Sequence, residues 1–239
     1  MNDDVAIALA IAVRNALAAA GDPVRASQQQ AYMKSTMPYR GVTLPEVRRI
    51  TKAELREHPL RDQTDLNTTV SALWDDASYR EERYAALTIL QVPKHRRWRD
   101  LALLPLYEHM VVTGRWWDLV DDLASHAIGE LLRAHPKELA PVMLAWASDA
   151  DLWRRRAALV CQVGAKSQTD PELLADVITA ARDERDFFVR KGIGWALRDY
   201  ARTSPDWVRA FVAEHADELS PLSIREATKH LGWPRPTDQ

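Results

Sequence analysis

The sequence predicts an all-α protein, a superhelical solenoid of antiparallel helix pairs, and three observations predict it. Apolar residues recur at helical spacing along almost the whole chain. Alternating apolar and polar runs bounded by turn dipeptides are absent, and only 8 glycines serve 239 residues. The helical segments, about a dozen, run roughly 10 to 18 residues with short connections. Consecutive helical hairpins of that kind stack side by side around one continuous core and leave a concave face. No linker divides the chain, so residues 1–239 are expected as a single domain.

The first helix falls in "VAIALAIAVRNALAAAG". It follows Asp3-Asp4, contains Arg14 and lacks the basic region of a secretory leader, so it reads as the first helix of a cytoplasmic protein. "GDP" ends it. "TLPE", Thr43 to Glu46, is a capping box with an early proline, so a helix begins there. "HPL", "HPKE", "SPD" and "LSP" mark later boundaries through proline beside a polar residue. No stretch reaches the ~18 consecutive apolar residues of a membrane span.

Composition narrows the function classes. At 46% apolar and 28% charged the chain is an ordinary globular protein. Its single cysteine, Cys161 in "AALVCQV", can make neither an internal disulfide nor a thiolate metal site and reads as a small buried hydrophobe. His109, His126 and His135 read as core or cap residues, since no histidine pairs with a second ligand at helical spacing beside a candidate site. No cofactor is expected. A net charge of −2 gives no global case for nucleic-acid binding, so any such case is local. Basic clusters occur at "KHRRWR", "WRRRA", "VRKGIGWALR" and "SIREATKH", the first two with a tryptophan directly beside the charges and the third with Trp195 inside its helix.

Three of these segments hold residues that their own helix cores do not explain. At about 100° per residue, "RWWDLVDDL" places Trp116, Leu119, Val120, Leu123 and Ala127 on one apolar arc. Trp117 and Asp121, four residues apart, fall together on another face. In "FFVRKGIGWALRDYARTSP" the core arc is Val189, Ile193, Ala196, Leu197 and Tyr200, and Trp195 lands away from it near Lys191 and Arg198. A wet indole is costly, so a second helix or a ligand covers it. In "DLWRRRAALVCQV", Arg156 shares the apolar stripe with Leu152, Leu159 and Val163, and a buried arginine needs an anionic partner.

Taken singly, each has a structural explanation: a packed corner, a helix first turn that favours aspartate, a solvated basic face. Three carboxylates without a histidine or a backbone loop do not make a specific metal site. Together, two off-core tryptophans, an aspartate and an inward arginine suit a cationic, carbon-rich group beside a phosphate. Aromatic faces attract cations, a carboxylate between them stabilises developing positive charge, and the arginine would hold the phosphate.

At this point the chain resembles the HEAT-like-repeat DNA alkylation repair glycosylases, the AlkD-type enzymes. The resemblance runs from "AYMKSTMPYRGVTLPEVRRI" through "VTGRWWDLVDDLASHAIGELLRAHP" and "SDADLWRRRAALV" to "DFFVRKGIGWALRDYARTSPDWVRAFVAEH" and "LSPLSIREATKHL". Its most specific parts are "WWDLVD" and "KGIGWALRDYA", in that order. It implies a C-shaped stack of helix pairs with a basic concave cleft around duplex DNA, and metal-free hydrolysis of the N-glycosidic bond of N3- and N7-alkylated purines.

Residue by residue, the resemblance makes Asp121 the catalytic carboxylate, Trp117 and Trp195 the tryptophans of the cleft, and Arg156 its arginine, with Tyr32 on the lesion side. DNA-backbone contacts would come from Arg154, Arg155, Arg190, Lys191, Arg198, Arg225 and Lys229. The expected partner is double-stranded DNA carrying alkylated purines, met by a monomer without a membrane. Some relatives lack the aspartate and bind DNA without excising bases; this chain has it. Two readings of other classes are a protein-binding helical scaffold, indifferent to Asp121→Asn, and a metal-dependent hydrolase, to which the sequence offers only the aspartate triplet.

Overall fold

Side-chain oxygens start many of the helices. Asp22, Asp62, Asp151, Asp170, Asp186 and Ser220 each stand one residue before a helix and accept hydrogen bonds from its first-turn amides. Proline follows directly where the missing N–H costs nothing, as at Pro23, Pro136, Pro171, Pro205 and Pro221. At the "TLPE" box, the Glu46 carboxylate accepts from both the Thr43 amide and the Thr43 hydroxyl, at 3.1 and 2.7 Å.

The computed structural model describes residues 4–232, and among these there are helices and no strand. The α-helices are α1 (Asp4–Ala19), α2 (Pro23–Met33), α3 (Leu44–Glu57), α4 (Gln63–Asp75), α5 (Arg80–Leu90), α6 (Leu104–Gly114), α7 (Trp117–Asp122), α8 (Gly129–Ala134), α9 (Pro136–Ala147), α10 (Leu152–Val160), α11 (Pro171–Ala181), α12 (Phe187–Tyr200), α13 (Pro205–Glu214) and α14 (Pro221–Ala227). Each of the predicted boundaries, from "GDP" to "LSP", falls between two of them. No single helix among the described residues is long and apolar enough to cross a membrane.

The chain divides into two compact units, Met1–Leu106 and Tyr107–Gln239. In the first, α1, α3, α4 and α5 pack on one another over Leu9, Val13, Leu17, Val47, Leu66, Val70, Trp74 and Ile89. Glu81 is fully buried there, and its carboxylate accepts the amides of Arg40, Gly41 and Val42 at 2.9 to 3.1 Å. That bond set fixes the loop ahead of α3. Gly41 is required in the loop: its φ is +85° and an added Cβ would lie 2.0 Å from the Asp22 carbonyl.

In the second unit α10 is the hub, packing against α7, α9, α11 and α12, while α12 also packs on α14. Trp153, Ala157, Leu159, Val160, Leu174, Val177, Val189, Ile193 and Leu197 are buried. Cys161 is buried as expected, and burial pushes its thiol up to about 12, so it is inert. The histidine reading needs correction. His135 caps the junction of α8 and α9, but His109 and His126 are exposed on their helix surfaces. The buried histidine is His95, from the basic run "KHRRWR", stacked on Trp98 with Nδ1 2.9 Å from the Ile89 carbonyl oxygen. A run of charges hides an inward residue because a short 3₁₀ segment, Pro93–Trp98, points its side chains in several directions.

Candidate active site

The aspartate helix begins abruptly. Arg115 takes a left-handed conformation, φ 44°, and its Nε donates to the Val112 carbonyl at 2.9 Å. The chain then extends through Trp116, φ −156° and ψ 145°, before α7 starts at Trp117. Trp116 therefore lies outside the helix that the 100° wheel assigned it to, yet it packs all the same. Its ring sits 6.3 Å from Trp153 and 5.5 Å from Phe188, and those two rings are 5.2 Å apart. Trp117, the first residue of α7, stays 37% exposed. One turn further on the same face stands Asp121. A π-helical stretch, Leu123–Ile128, follows directly, and the Ser125 hydroxyl donates to the Asp121 carbonyl at 2.7 Å.

Asp121 does not project into solvent as the wheel of its own helix suggested. It is 7% exposed, because Arg156 of α10 reaches across and covers it. Nε and Nη2 of Arg156 donate to the two carboxylate oxygens at 2.6 and 2.7 Å, a bidentate pair between two buried side chains. Nη1 donates to the Phe188 carbonyl, and the guanidinium carbon lies 6.0 Å from the Phe188 ring centre. The anion that a buried arginine requires is thus supplied from within the protein.

Burial pushes the Asp121 carboxyl above the usual carboxylate range. The hydrogen bonds and charge of Arg156 pull against that, while Asp118 and Asp122 push in the same direction as burial. Since both oxygens accept from a permanently charged guanidinium, the group is a carboxylate at neutral pH. It is therefore a fixed negative charge in a largely dry setting, with one neighbouring cation and an indole one turn away.

Helix α12 completes the arrangement. Its buried side carries Val189, Ile193, Ala196 and Leu197. Gly192 faces α10, where an added Cβ would lie 3.5 Å from both Arg156 Nη1 and Leu159. Trp195, one turn on from Gly192, is half-buried on the side away from the core, with Lys191 and Arg198 beside it on the helix. The structure thus brings Asp121, Arg156 and Trp117 together on facing elements and sets Trp195 on the helix that supports Arg156. Tyr32 belongs to the first unit, on α2, where it is 80% exposed.

The expected backbone-binding cations divide by environment. Arg154 pairs with Glu108 at 2.7 Å and Asp149 at 3.0 Å, and Arg155 with Glu184 at 3.0 Å. Lys191 and Arg198 share Glu226, at 2.7 and 2.5 Å. Arg190 is half-buried, and Arg225 and Lys229 are exposed. Sequence reasoning missed Phe188, whose carbonyl and ring hold the guanidinium, and Glu226. One signal pointed to the packing around them. Two glycines inside one helical segment, Gly192 and Gly194, each cost about 1 kcal/mol relative to alanine, and the second marks a close approach of α14.

A family model described as DNA alkylation repair enzyme matches residues 13–231 of the chain. No curated protein matches it. Among solved structures, the chain is similar to a predicted DNA alkylation repair enzyme from Enterococcus faecalis, with 29% identity, 90% of this chain and 98% of that one covered, and a TM-score of 0.80. It is similar in fold to AlkD2 from Streptococcus mutans, with 18% identity, 80% and 92% coverage and a TM-score of 0.60. The fold of smu.31 from Streptococcus mutans UA159 is comparable, at 19% identity, 79% and 92% coverage and 0.58.

Proposed function

The chain belongs to the DNA alkylation repair enzyme family, and on that premise we propose that it is a monofunctional glycosylase hydrolysing the N-glycosidic bond of N3- and N7-alkylated purines in duplex DNA. The observation that carries the reading is the buried, bidentate Asp121–Arg156 pair, one helical turn from an exposed indole. A carboxylate kept charged in a dry setting is suited to stabilise a cation that forms beside it.

The chemistry follows from charge. An N3- or N7-alkylated purine is already cationic, so when the C1′–N bond breaks its electron pair discharges the ring and the base departs neutral, with little need for a general acid. Positive charge then develops on the deoxyribose. Asp121 stabilises that oxocarbenium character and accepts the proton of the water that adds to C1′, passing it on to solvent. Trp117 and Trp195 contact the sugar and favour its cationic form through their ring faces. Arg156 holds the carboxylate in place and ionised, and in this reading it also meets a backbone phosphate. Most glycosylases flip the damaged base into a pocket. In this reading the protein grips the lesion's sugar and backbone without enclosing the base. Duplex DNA meets a monomer.

The test is to incubate the protein with methylated duplex DNA holding 7-methylguanine and 3-methyladenine and to quantify free base, with unmethylated DNA and EDTA as parallel arms. Release from methylated DNA alone, unaffected by EDTA, is the expected result. Salt-sensitive DNA binding without release would place the protein among non-catalytic DNA-binding relatives. Loss of release in EDTA would overturn the metal-free mechanism.

A further inference from the structure

On the side of α12 away from its core, Lys191, Trp195 and Arg198 stand at i, i+4 and i+7, so the tryptophan position falls between the two cations along the helix. One carboxylate from α14 serves both. Glu226 takes Lys191 Nζ on Oε1 at 2.7 Å and Arg198 Nη1 on Oε2 at 2.5 Å. Its side chain is 16% exposed, against 37% for Lys191. The Lys191 hydrogen bond above all, with Arg198 adding to it, holds the Glu226 carboxyl below the usual range despite partial burial.

The carboxylate is also anchored from behind. Gly194 lets α14 come so close that an added Cβ would sit 2.5 Å from Glu226 Cβ and 2.8 Å from the Ser223 carbonyl oxygen. The Ser223 hydroxyl donates to the Arg190 carbonyl at 2.9 Å, tying α14 to the same helix. Glu226 can thus leave the two cations by changing its own rotamer, but not by retreat of its helix.

We propose that Glu226 is a built-in counterion for the α12 cations: it stands where a DNA phosphate would sit, neutralises Lys191 and Arg198 in the free protein, and thereby lowers affinity for duplex DNA in general. The inference rests on the proposed DNA-binding role. A phosphate approaching this face meets a carboxylate already bound to both of its prospective partners, and must share or displace it. Mobile salt ions normally play that part, and their release is what makes binding fall steeply with salt. A tethered anion does the same work without being released, so these two cations add little to the salt dependence. For a repair protein that meets mostly undamaged duplex, weaker non-specific contact shortens each unproductive encounter.

The test measures binding of wild type, Glu226→Gln and Glu214→Gln to undamaged duplex DNA over a range of salt. Glu214 is an exposed residue of α13, and its substitution removes the same formal charge elsewhere. Glu226→Gln is expected to bind roughly three- to tenfold more tightly at low salt, with the log–log salt slope steeper by about one to two, while Glu214→Gln stays close to wild type. Glu226→Asp, which keeps the charge but draws it back by one methylene, should fall in between and serves if the glutamine variant does not fold. Equal or weaker binding by both Glu226 variants, or equal tightening by Glu214→Gln, overturns the counterion role and leaves DNA binding intact. Failure of all the proteins to bind DNA removes the DNA-binding reading, and the counterion with it.

Discussion

Arg156 and Asp121 are coupled so closely that altering either changes the other's state. Arg156→Met leaves a buried carboxylate without its guanidinium, which typically costs about 3–5 kcal/mol of stability. It also removes what holds the Asp121 carboxyl down, so burial raises it further. The sign for activity is direct: the charged form works, so base release falls as pH drops through the Asp121 value. Because that value lies above the ordinary carboxylate range, the acid limb should appear at higher pH than an exposed aspartate would give, and higher again in Arg156→Met. A pH–rate profile of both proteins checks this. His95 gives a second pH effect, on stability. Burial first, with Lys94, Arg99 and Arg97 adding, keeps its imidazole below the usual histidine value. A depressed histidine favours the fold when neutral, so its contribution is full above the unfolded value of about 6.5 and is lost as pH falls below it. The melting temperature should drop more between about pH 7 and about pH 5 in wild type than in His95→Gln. The arginine's need for an anion was legible in its place on an apolar stripe. From the helical wheels alone, that Asp121 would be the anion was not, because a wheel shows one helix and the partner sits 35 residues away on another.

Helix boundaries were the most legible elements, since Asp or Ser at the cap and proline behind it act within a few residues. The π-helical stretch after Asp121 was not legible. Leu119, Leu123 and Ala127 continue a helical period through it and are buried regardless. Its packing shows at Gly129, where an added Cβ would lie 2.2 Å from the Cys161 carbonyl oxygen, just past the end of α10. That contact lets the start of α8 lie directly on the end of the helix that carries Arg156. Gly129→Ala should therefore lower stability by roughly 1–3 kcal/mol and weaken base release by forcing the two helices apart. Gly192→Ala is the contrasting case, because its Cβ meets Arg156 and Leu159 only at ordinary contact distance, 3.5 Å. It should fold and act close to wild type. Thermal unfolding and release assays on the two variants decide between local packing and a general intolerance of side chains at these glycines.

For the whole molecule, a net charge of −2 left DNA binding without a global electrostatic argument, and the ion pairs give a structural reason why clustered cations and near-neutral charge coexist. The clusters were legible; their carboxylate partners were not, since Glu226 is 35 residues from Lys191 in sequence. Arg225 and Lys229 are exposed at the end of α14 and just beyond it. Reversing both charges should weaken binding to all duplex sequences alike and flatten the log–log salt slope by about one to two. The proposed chemistry turns on Asp121. Its most direct test is the single-turnover rate of 7-methylguanine release by wild type and Asp121→Asn, with DNA affinity measured in parallel. A rate loss of roughly 10² to 10³ with affinity little changed is expected, the signature of an interaction made mainly in the transition state. An Asp121→Asn protein that releases the base at the wild-type rate would contradict it.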